Sequence, residues 1–209
     1  MTIAILGAGN VGMALGKSLV AAGESVTFGV PDPQKYAAAV AALGAPARVA
    51  GVAEAVAAAP LVILAVPWAA AGSVADGIAD WQGKILVDAT NPLLPGLAGL
   101  AVGTTDSGAE QIARRAHGAR VVKAFNTTGA ENLGNPRYAA GHVFMPVCGD
   151  DAEARTTVVA LATRIGFDAV DAGPLAVARY LEPFAMTWIH LAYKAGFGRG
   201  FAFGAWRRP

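Results

Sequence analysis

The 209-residue sequence has one cysteine, few charged residues and no long uninterrupted apolar run. The single Cys148 excludes an intramolecular disulfide and agrees with a reducing compartment. Charged residues make up 15% of the sequence and the formal net charge is +1, which gives no electrostatic reason to expect nucleic-acid binding. The most apolar stretch, residues 55–75, is interrupted by Pro60, Pro67 and Gly72, whereas a membrane-spanning helix needs about 20 apolar residues in succession. No basic region precedes the first apolar segment, so we expect a cytoplasmic protein that is not bound to a membrane.

Signature motifs of several enzyme classes are also missing. The sequence contains neither the Y-x-x-x-K of short-chain dehydrogenases nor the G-x-S-x-G of hydrolases. The histidines, His117, His142 and His190, lack the spacing of metal ligands, so no metal site is expected. The sequence identifies no catalytic acid or base.

Short apolar runs alternate with helical patterns along the chain, which is typical of a doubly wound α/β fold. We predict a Rossmann-type, mostly parallel sheet with a small helical C-terminal lobe. Strands are predicted over residues 3–6, 25–30, 61–66, 84–90, 119–125, 143–149 and 167–173, with a weak strand near Arg48. We interpret residues 1–209 as a single NAD(P)-binding domain, in which about 143–209 form a βα and helical extension that walls the pocket and makes a dimer contact.

Several residues mark where helices begin, end or bend. The helix over 11–22 is expected to end at Gly23 in a left-handed cap. Two pairs have the reciprocal capping pattern: Ser107 with Glu110, and Asp150 with Glu153. Pro183 is expected to kink the last helix.

The segment "ILGAGNVG" has the G-x-G-x-x-G spacing between a predicted strand and a predicted helix. Gly7 permits the tight turn, Gly9 lets the backbone approach a pyrophosphate, and Gly12 lets the helix pack closely on the strand. The phosphates would then face the free N–H groups and the positive dipole end of the helix. The alternative is a glycine-rich turn in an α/β domain that binds no nucleotide. We predict cofactor contacts along the whole turn: Gly7, Ala8, Gly9, Asn10, Val11 and Gly12.

The segment "VTFGVPDPQK", residues 26–35, lies where such folds distinguish NAD from NADP. Asp32 stands at the distance of a ribose-binding acid, but prolines flank it, and a turn residue is the alternative interpretation. Gly29 is interpreted as leaving room for a 2′-phosphate that Lys35 can reach, and the alternative for Lys35 is a solvated helix-start residue. The segment favours NADP and leaves NAD as the alternative.

Five segments together resemble a known family. They are "ILGAGNVG", "AVPW" at 65–68, "VVKAFNTTGAENL" at 121–133, "VCGDDAEAR" at 147–155 and "DAGPLAVARYLE" at 171–182. The chain resembles, over almost its whole length, the coenzyme F420-dependent NADP oxidoreductases, which are related to the cytosolic domains of animal transmembrane metalloreductases. The last two segments lie outside the generic nucleotide fold and make the resemblance more specific, and "KAFNT" is more similar to the metalloreductase branch.

The resemblance implies a set of binding residues. The family holds the 2′-phosphate after Gly29 with a hydroxyl residue, an arginine and a later lysine, but this chain has Val30 and Pro31 and keeps only Lys35. The implied nicotinamide contacts are Val66, Pro67, Trp68, Asn91 and Pro92. The implied wall for the hydride acceptor contains Asn126, Thr127, Thr128 and Ala130.

The predicted strand ends "VPW", "TNP" and "FNTTG" are mostly apolar, with amides and hydroxyls, which suits direct hydride transfer. Lys123 is predicted to stabilise charge on a reduced acceptor, the alternative being a solvated or ion-paired lysine. We therefore expect an NADP(H)-dependent oxidoreductase that uses F420 or a flavin. A reductase of a small carbonyl or imine compound, and an NADP-binding sensor without turnover, are the alternatives.

The C-terminal tail mixes three arginines with four aromatic residues: Arg199, Arg207, Arg208, Phe197, Phe201, Phe203 and Trp206. Such a tail can stack nucleic-acid bases, but it is expected to dock on its own fold or on a partner subunit. Together with Phe184 and Trp188 on the preceding helix, it leads us to expect a homodimer.

Overall fold

The computed structural model describes residues 1–208 and contains one eight-stranded sheet. Residue 209, the last of the predicted extension, lies outside the described residues. The strands of the large sheet are β1 (Thr2–Leu6), β2 (Ser25–Gly29), β3 (Ala47–Ala50), β4 (Leu61–Leu64), β5 (Ile85–Asp88), β6 (Arg120–Lys123), β9 (Phe144–Gly149) and β10 (Asp168–Gly173). A separate antiparallel pair consists of β7 (Arg137–Tyr138) and β8 (Gly141–His142).

The strand order is β10-β9-β6-β5-β4-β1-β2-β3. Strands β1 to β6 are parallel to one another. Strand β9 is antiparallel to β6, and β10 is parallel to β9. The chain therefore moves outward from β1 to β3 on one side and restarts at β4 on the other. This reversal places a topological switch point between β1 and β4, where ligands of such sheets bind beyond the carboxyl ends of the strands. The predicted Rossmann-type, mostly parallel fold is confirmed.

Helices cover both faces of the sheet. They are α1 (Asn10–Ala21), α2 (Pro33–Ala41), α3 (Val52–Ala57), α4 (Trp68–Asp76), α5 (Gly108–Arg115), α6 (Ala130–Gly134), α7 (Ala152–Arg164) and α8 (Ala178–Tyr193), with short 3₁₀ turns at Pro95–Leu97 and Leu175–Val177. Side chains of β1 alternate between the two core layers: Ile3 and Ile5 belong to one, Ala4 and Leu6 to the other. Because both layers are apolar, the central strands are continuous hydrophobic runs. Within residues 1–208, no helix combines the length and apolar character needed to cross a bilayer.

The helix boundaries follow the predicted signals with one difference, at the start of α7. Gly23, which follows the C-cap residue of α1, has a φ of +84°, and the Ser107 hydroxyl accepts the Glu110 N–H at the start of α5, as predicted. The cap of α7 is Asp151 and not Asp150, because the Asp150 carboxylate instead accepts the Leu175 N–H. Helix α8 continues through Pro183 from residue 178 to residue 193.

The C-terminal tail docks on the chain's own fold. The ring of Phe201 stacks on Trp188 and the ring of Phe203 stacks on Phe184, with centroid distances of 5.3 and 4.7 Å. The Phe201 carbonyl accepts the indole N–H of Trp188, and the Phe203 carbonyl accepts the Phe144 N–H of β9. The tail thus closes the end of the sheet beside β9, and this docking accounts for two of its four aromatic side chains, Phe201 and Phe203.

Candidate functional site

The glycine turn between β1 and α1 has the geometry of a phosphate-binding loop. Gly7 has a φ of +105°, and a Cβ there would lie 2.5 Å from the Ala65 carbonyl oxygen. A Cβ on Gly12 would lie 2.1 Å from the Gly7 carbonyl oxygen, so α1 can start this close to β1 only with glycine at both positions. A Cβ on Gly9, in contrast, would meet nothing within 4 Å. The side of the turn that would face a pyrophosphate is therefore open.

The N-terminus of α1 is electrostatically free to bind an anion. Its N-cap residue Gly9 provides no side-chain cap, and its first turn contains no acidic residue. Gly9 and Asn10 are exposed, while Ala8 and Val11 are half-buried. The unpaired N–H groups and the positive end of the helix dipole thus point toward open space.

A crevice leads from this turn to the end of β5. A first cavity of about 250 Å³ lies against Gly9, Asn10 and Val11, and a second of about 570 Å³ reaches Trp68, Thr90 and Asn91. The two cavities adjoin, since they share four lining residues: Val11, Val66, Pro67 and Ala89. The far wall of the larger cavity is the loop after β5, which contributes Leu93, Leu94, Pro95 and Ala101. The crevice lies at the carboxyl ends of the parallel strands, where the fold predicts the ligand.

The segment after β2 differs from what the sequence predicted. A Cβ on Gly29 would lie 2.7 Å from Leu6 Cδ2 and 3.0 Å from Ala55 Cβ, so this glycine allows α3 to pack and does not make room for a 2′-phosphate. That prediction is wrong because the position points into the core. The side chain of Val30 is also buried, at 2% exposure, and only the backbone there can approach a ligand.

The start of α2 carries one charge of each sign. The Asp32 carboxylate caps the helix by accepting the N–H groups of Gln34 and Lys35, which agrees with the turn-residue alternative. Pro31 and Lys35 are exposed, and the Lys35 ammonium lies 5.5 Å from the centroid of the Tyr36 ring. Lys35 is the cation that this segment offers to a phosphate, and Asp32 partly offsets it.

Two asparagines join the ends of β5 and β6. The Asn91 amide donates to the Asn126 carbonyl at 2.9 Å, and the Asn126 amide donates to Asn91 Oδ1 at 3.0 Å. Asn91 lines the crevice, whereas Pro92 is buried behind it. Asn126 is 4% exposed, and its Oδ1 is a buried side-chain acceptor without a partner. An unpaired buried acceptor costs free energy and is typical of a site that a ligand or water completes.

The segment after β6 is strained at its first turn. Phe125 is 1% exposed and has a φ of +65°, a backbone conformation that residues other than glycine seldom adopt. Thr127 is 2% exposed, and its hydroxyl contacts the Met145 sulfur at 3.9 Å. Its side chain therefore faces the interior, whereas the sequence had predicted that it faces the hydride acceptor. The Thr128 hydroxyl accepts the Asn132 amide, and Ala130, which begins α6, is half-buried.

Lys123 does not face the crevice. Its side chain is 0% exposed, and its ammonium donates to Asp88 at 2.9 Å, Glu182 at 2.8 Å and the Thr90 carbonyl at 2.7 Å. Burial disfavours the ammonium, but the carboxylates of Asp88 and Glu182 outweigh burial and raise the pKa of Lys123. The predicted contact between Lys123 and a reduced acceptor is therefore wrong, and its ion-paired alternative is correct.

Three residues around this lysine have no counterpart in the sequence-based predictions: Asp88, Thr90 and Glu182. Asp88 and Thr90 belong to the "DATNP" segment, so the polar residues at the end of β5 were a signal for them. Glu182 gave no such signal, because it is a lone acid in an apolar helix that approaches the site from the far end of the sequence. The packing of α8 against α5 brings it to Lys123, beneath the crevice.

Comparison with known proteins places this site in a family. The family model for coenzyme F420-dependent NADP oxidoreductases matches residues 2–92, which contain the glycine turn and the switch point. The F420-dependent NADP reductase of Methanothermobacter marburgensis is 35% identical over 215 residues, covering 93% of each protein.

Two further proteins are similar to the chain. The metalloreductase STEAP3 of Rattus norvegicus is 35% identical over 184 residues, which cover 86% of this chain, and the chain spans 35% of that longer protein. The crystal structure of a provisionally assigned F420-dependent NADP reductase from Arthrobacter sp. FB24 has a TM-score of 0.85 and 34% identity, covering 99% of this chain and 100% of the other. The chain belongs to the family of coenzyme F420-dependent NADP oxidoreductases and is an oxidoreductase.

Proposed function

We propose that the protein transfers hydride between NADP(H) and a planar redox acceptor, coenzyme F420 or a flavin. The observation that carries this proposal is the open space over Gly9, which adjoins the apolar crevice ending at Asn91. A dinucleotide laid along this path would have its pyrophosphate at the turn and its nicotinamide beside Val66 and Pro67.

The residues at the turn fit a dinucleotide. Gly9 leaves the space that a side chain would fill, and the N–H groups at the start of α1 have no competing cap. The N–H groups of Gly9, Asn10 and Val11 would hold the pyrophosphate, while Lys35 and the backbone near Pro31 would bind the 2′-phosphate. When bound, the nicotinamide supplies or accepts the hydride.

The crevice suits a reaction that depends on alignment more than on proton transfer. Its lining is largely aliphatic and aromatic, with Thr90 and Asn91 as polar residues at one end. Such a lining excludes water and holds two flat rings at reacting distance, which is the main requirement of hydride transfer. A planar acceptor is favoured because the cavity beside Trp68 lies between apolar walls. The Asn91 side chain, which lines the crevice, would orient the edge of the acceptor, and the unpaired Oδ1 of its hydrogen-bonding partner Asn126 would be the hydrogen-bond acceptor atom still available there.

The acceptor is tested by turnover with a panel. NADPH oxidation is measured with oxidised F420, with FMN and with a set of small ketones and cyclic imines. We expect turnover with F420 or FMN well above the rate without acceptor. Turnover restricted to ketones or imines would replace the proposal by the carbonyl or imine reductase. Tight NADPH binding without turnover by any compound would replace it by the sensor.

The choice of nucleotide is tested separately by calorimetric titration with NADPH and NADH. We expect NADPH to bind at least about tenfold more tightly, a margin of about 1.4 kcal/mol, and Lys35→Ala to remove that margin. Lys17→Ala, which also removes an exposed lysine but lies on the far part of α1, is the matched control and should leave the margin unchanged. A preference for NADH that Asp32→Asn abolishes would instead show that this segment binds a ribose.

We also propose that the protein is cytoplasmic and forms a homodimer through its C-terminal lobe. The one cysteine, Cys148, is a free buried thiol, and the absence of disulfides from the sequence agrees with a reducing compartment. Three large side chains of the lobe are strongly exposed: Tyr180 at 72%, Phe197 at 65% and Trp206 at 80%. They support a contact with a second copy of the chain.

A further inference from the structure

A cluster of three buried charged side chains lies beneath the end of the crevice. Asp88 ends β5, Lys123 ends β6 and Glu182 projects from α8, and each is at most 1% exposed. Lys123 bridges the two carboxylates, so the cluster has two negative charges and one positive charge. The N–H groups of Gly108 and Ala109 at the start of α5 donate to Glu182 at 2.9 and 3.1 Å and offset the remaining negative charge.

The cluster holds every polar backbone and side-chain group of Thr90. Asp88 Oδ1 accepts the Thr90 N–H at 2.9 Å and the Thr90 hydroxyl at 2.7 Å. Lys123 donates to the Thr90 carbonyl at 2.7 Å. Because two charged residues fix the N–H, the hydroxyl and the carbonyl, the turn after β5 has little freedom to move.

Thr90 and its neighbour Asn91 form part of the crevice wall. Asn91 in turn holds the end of β6 through its two hydrogen bonds with Asn126. The contacts therefore run without interruption from the helix α5 terminus through Glu182, Lys123 and Thr90 to the surface that a ligand would touch. Residues that only stabilised the fold would not need to meet at this edge of the sheet.

Stability alone is a poor explanation for such a cluster. Removing charges from water is costly, and well-packed apolar residues of similar volume are often at least as stable as a buried ion pair. An ion cluster fixes the orientation of the groups bonded to it, because each hydrogen bond restrains an angle as well as a distance. An apolar cluster does not restrain orientation in this way. We propose that Asp88, Lys123 and Glu182 are positioning residues that hold Thr90 and Asn91 against the nicotinamide end of the cofactor, an inference that rests on the function proposed above.

The test separates the two ends of the cofactor. Calorimetry measures binding of NADPH and of 2′-phospho-ADP-ribose, which has the same pyrophosphate and 2′-phosphate but no nicotinamide. The ratio of the two affinities reports the nicotinamide end alone. We call the factor by which NADPH binds more tightly than 2′-phospho-ADP-ribose the nicotinamide margin. In Lys123→Met we expect unchanged affinity for 2′-phospho-ADP-ribose, a nicotinamide margin that is roughly tenfold smaller, and a lower kcat.

Two further variants complete the test. Thr90→Val removes only the hydroxyl that Asp88 binds, keeps the charges paired and should change the margin in the same direction, so it decides the matter if Lys123→Met does not fold. Arg179→Met removes another ion pair between α5 and α8, with Glu110, and should leave the margin as in the wild type. It controls for general loosening of these two helices.

The results that would overturn the positioning role differ from those that would overturn the proposed function. The positioning role is overturned if folded Lys123→Met, or Thr90→Val in its place, keeps the wild-type margin, or if NADPH and 2′-phospho-ADP-ribose weaken by the same factor. It is also overturned if the wild type shows no margin. The proposed function fails instead if the wild type binds neither compound, or binds NADPH without transferring hydride to any acceptor.

Discussion

Two glycines of the same turn have separable roles. A Cβ on Gly12 would lie 2.1 Å from the Gly7 carbonyl oxygen, whereas a Cβ on Gly9 would meet nothing within 4 Å. We expect Gly12→Ala to lower the free energy of unfolding by about 1–3 kcal/mol through overpacking. Gly9→Ala should cost no more than about 1 kcal/mol, the range of N-cap substitutions, yet weaken NADPH binding by roughly tenfold or more. Urea unfolding and calorimetry measure the two effects, and equal loss of stability in both variants would contradict this division.

Single residues were predictable where their role is local and not where it depends on packing. The spacing of Gly7, Gly9 and Gly12 predicted the turn, because a strand, a tight turn and a helix are determined by neighbours in sequence. Gly29 and Lys123 were misinterpreted because both end strands, and the sequence does not say whether a strand-end side chain faces solvent, ligand or core. The packing of α3 on β2 and of α8 near β6 decides those directions.

At the scale of elements, helices α5 and α8 are joined by an ion pair whose strength depends on pH. Arg179 donates two hydrogen bonds to Glu110, at 2.6 and 2.9 Å, and holds the pKa of that carboxyl below its ordinary value of 4.5. Because the pKa is lower in the folded than in the unfolded state, the contribution to the free energy of unfolding is fully present above about pH 4.5 and is lost as the pH falls through the folded value. We expect Arg179→Met to lower the free energy of unfolding only modestly near pH 7, because an ion pair this close to solvent contributes little. Urea unfolding at several pH values from about 6 to 3.5 should show this cost shrinking in acid, and a cost that grows or stays constant would contradict the assignment.

The elements themselves were largely predictable, but their pairing was not. Strands β1, β2 and β4 to β6 lie within the predicted runs, because a buried parallel strand is a short apolar segment between turns. The hairpin β7–β8 was missed, since its strands have two residues each and are exposed. The antiparallel direction of β9 was not predicted either, because the apolar pattern of a strand does not specify the direction of the strand it pairs with.

At the scale of the whole molecule, the crevice draws its walls from segments that are distant in sequence. The glycine turn lies near residue 9 and the opposite wall near residue 94. Glu182, which pairs with the lysine that holds Thr90, lies near the end of the chain. The doubly wound order brings the first two together, so the site's position followed from the fold class. The contribution of α8 followed only from the structure, because the C-terminal lobe has no place in the generic dinucleotide-binding fold.

The exposed aromatic residues of that lobe lead to a prediction about assembly. Tyr180 and Phe197 are 72% and 65% exposed, whereas Phe201 and Phe203 of the tail are docked on α8. Desolvating such side chains against a second copy is favourable by about 25 cal/mol per Å² of apolar area removed from water. We expect sedimentation equilibrium to give twice the mass of the chain, and Tyr180→Glu or Phe197→Glu to shift the protein to monomers without changing its affinity for NADPH, because neither residue lines the crevice. Ala160→Glu, on the exposed side of α7, is the matched control and should leave the dimer intact. A wild-type monomer at all concentrations would contradict the dimer, whereas a dimer that only Ala160→Glu disrupts would place the contact on α7.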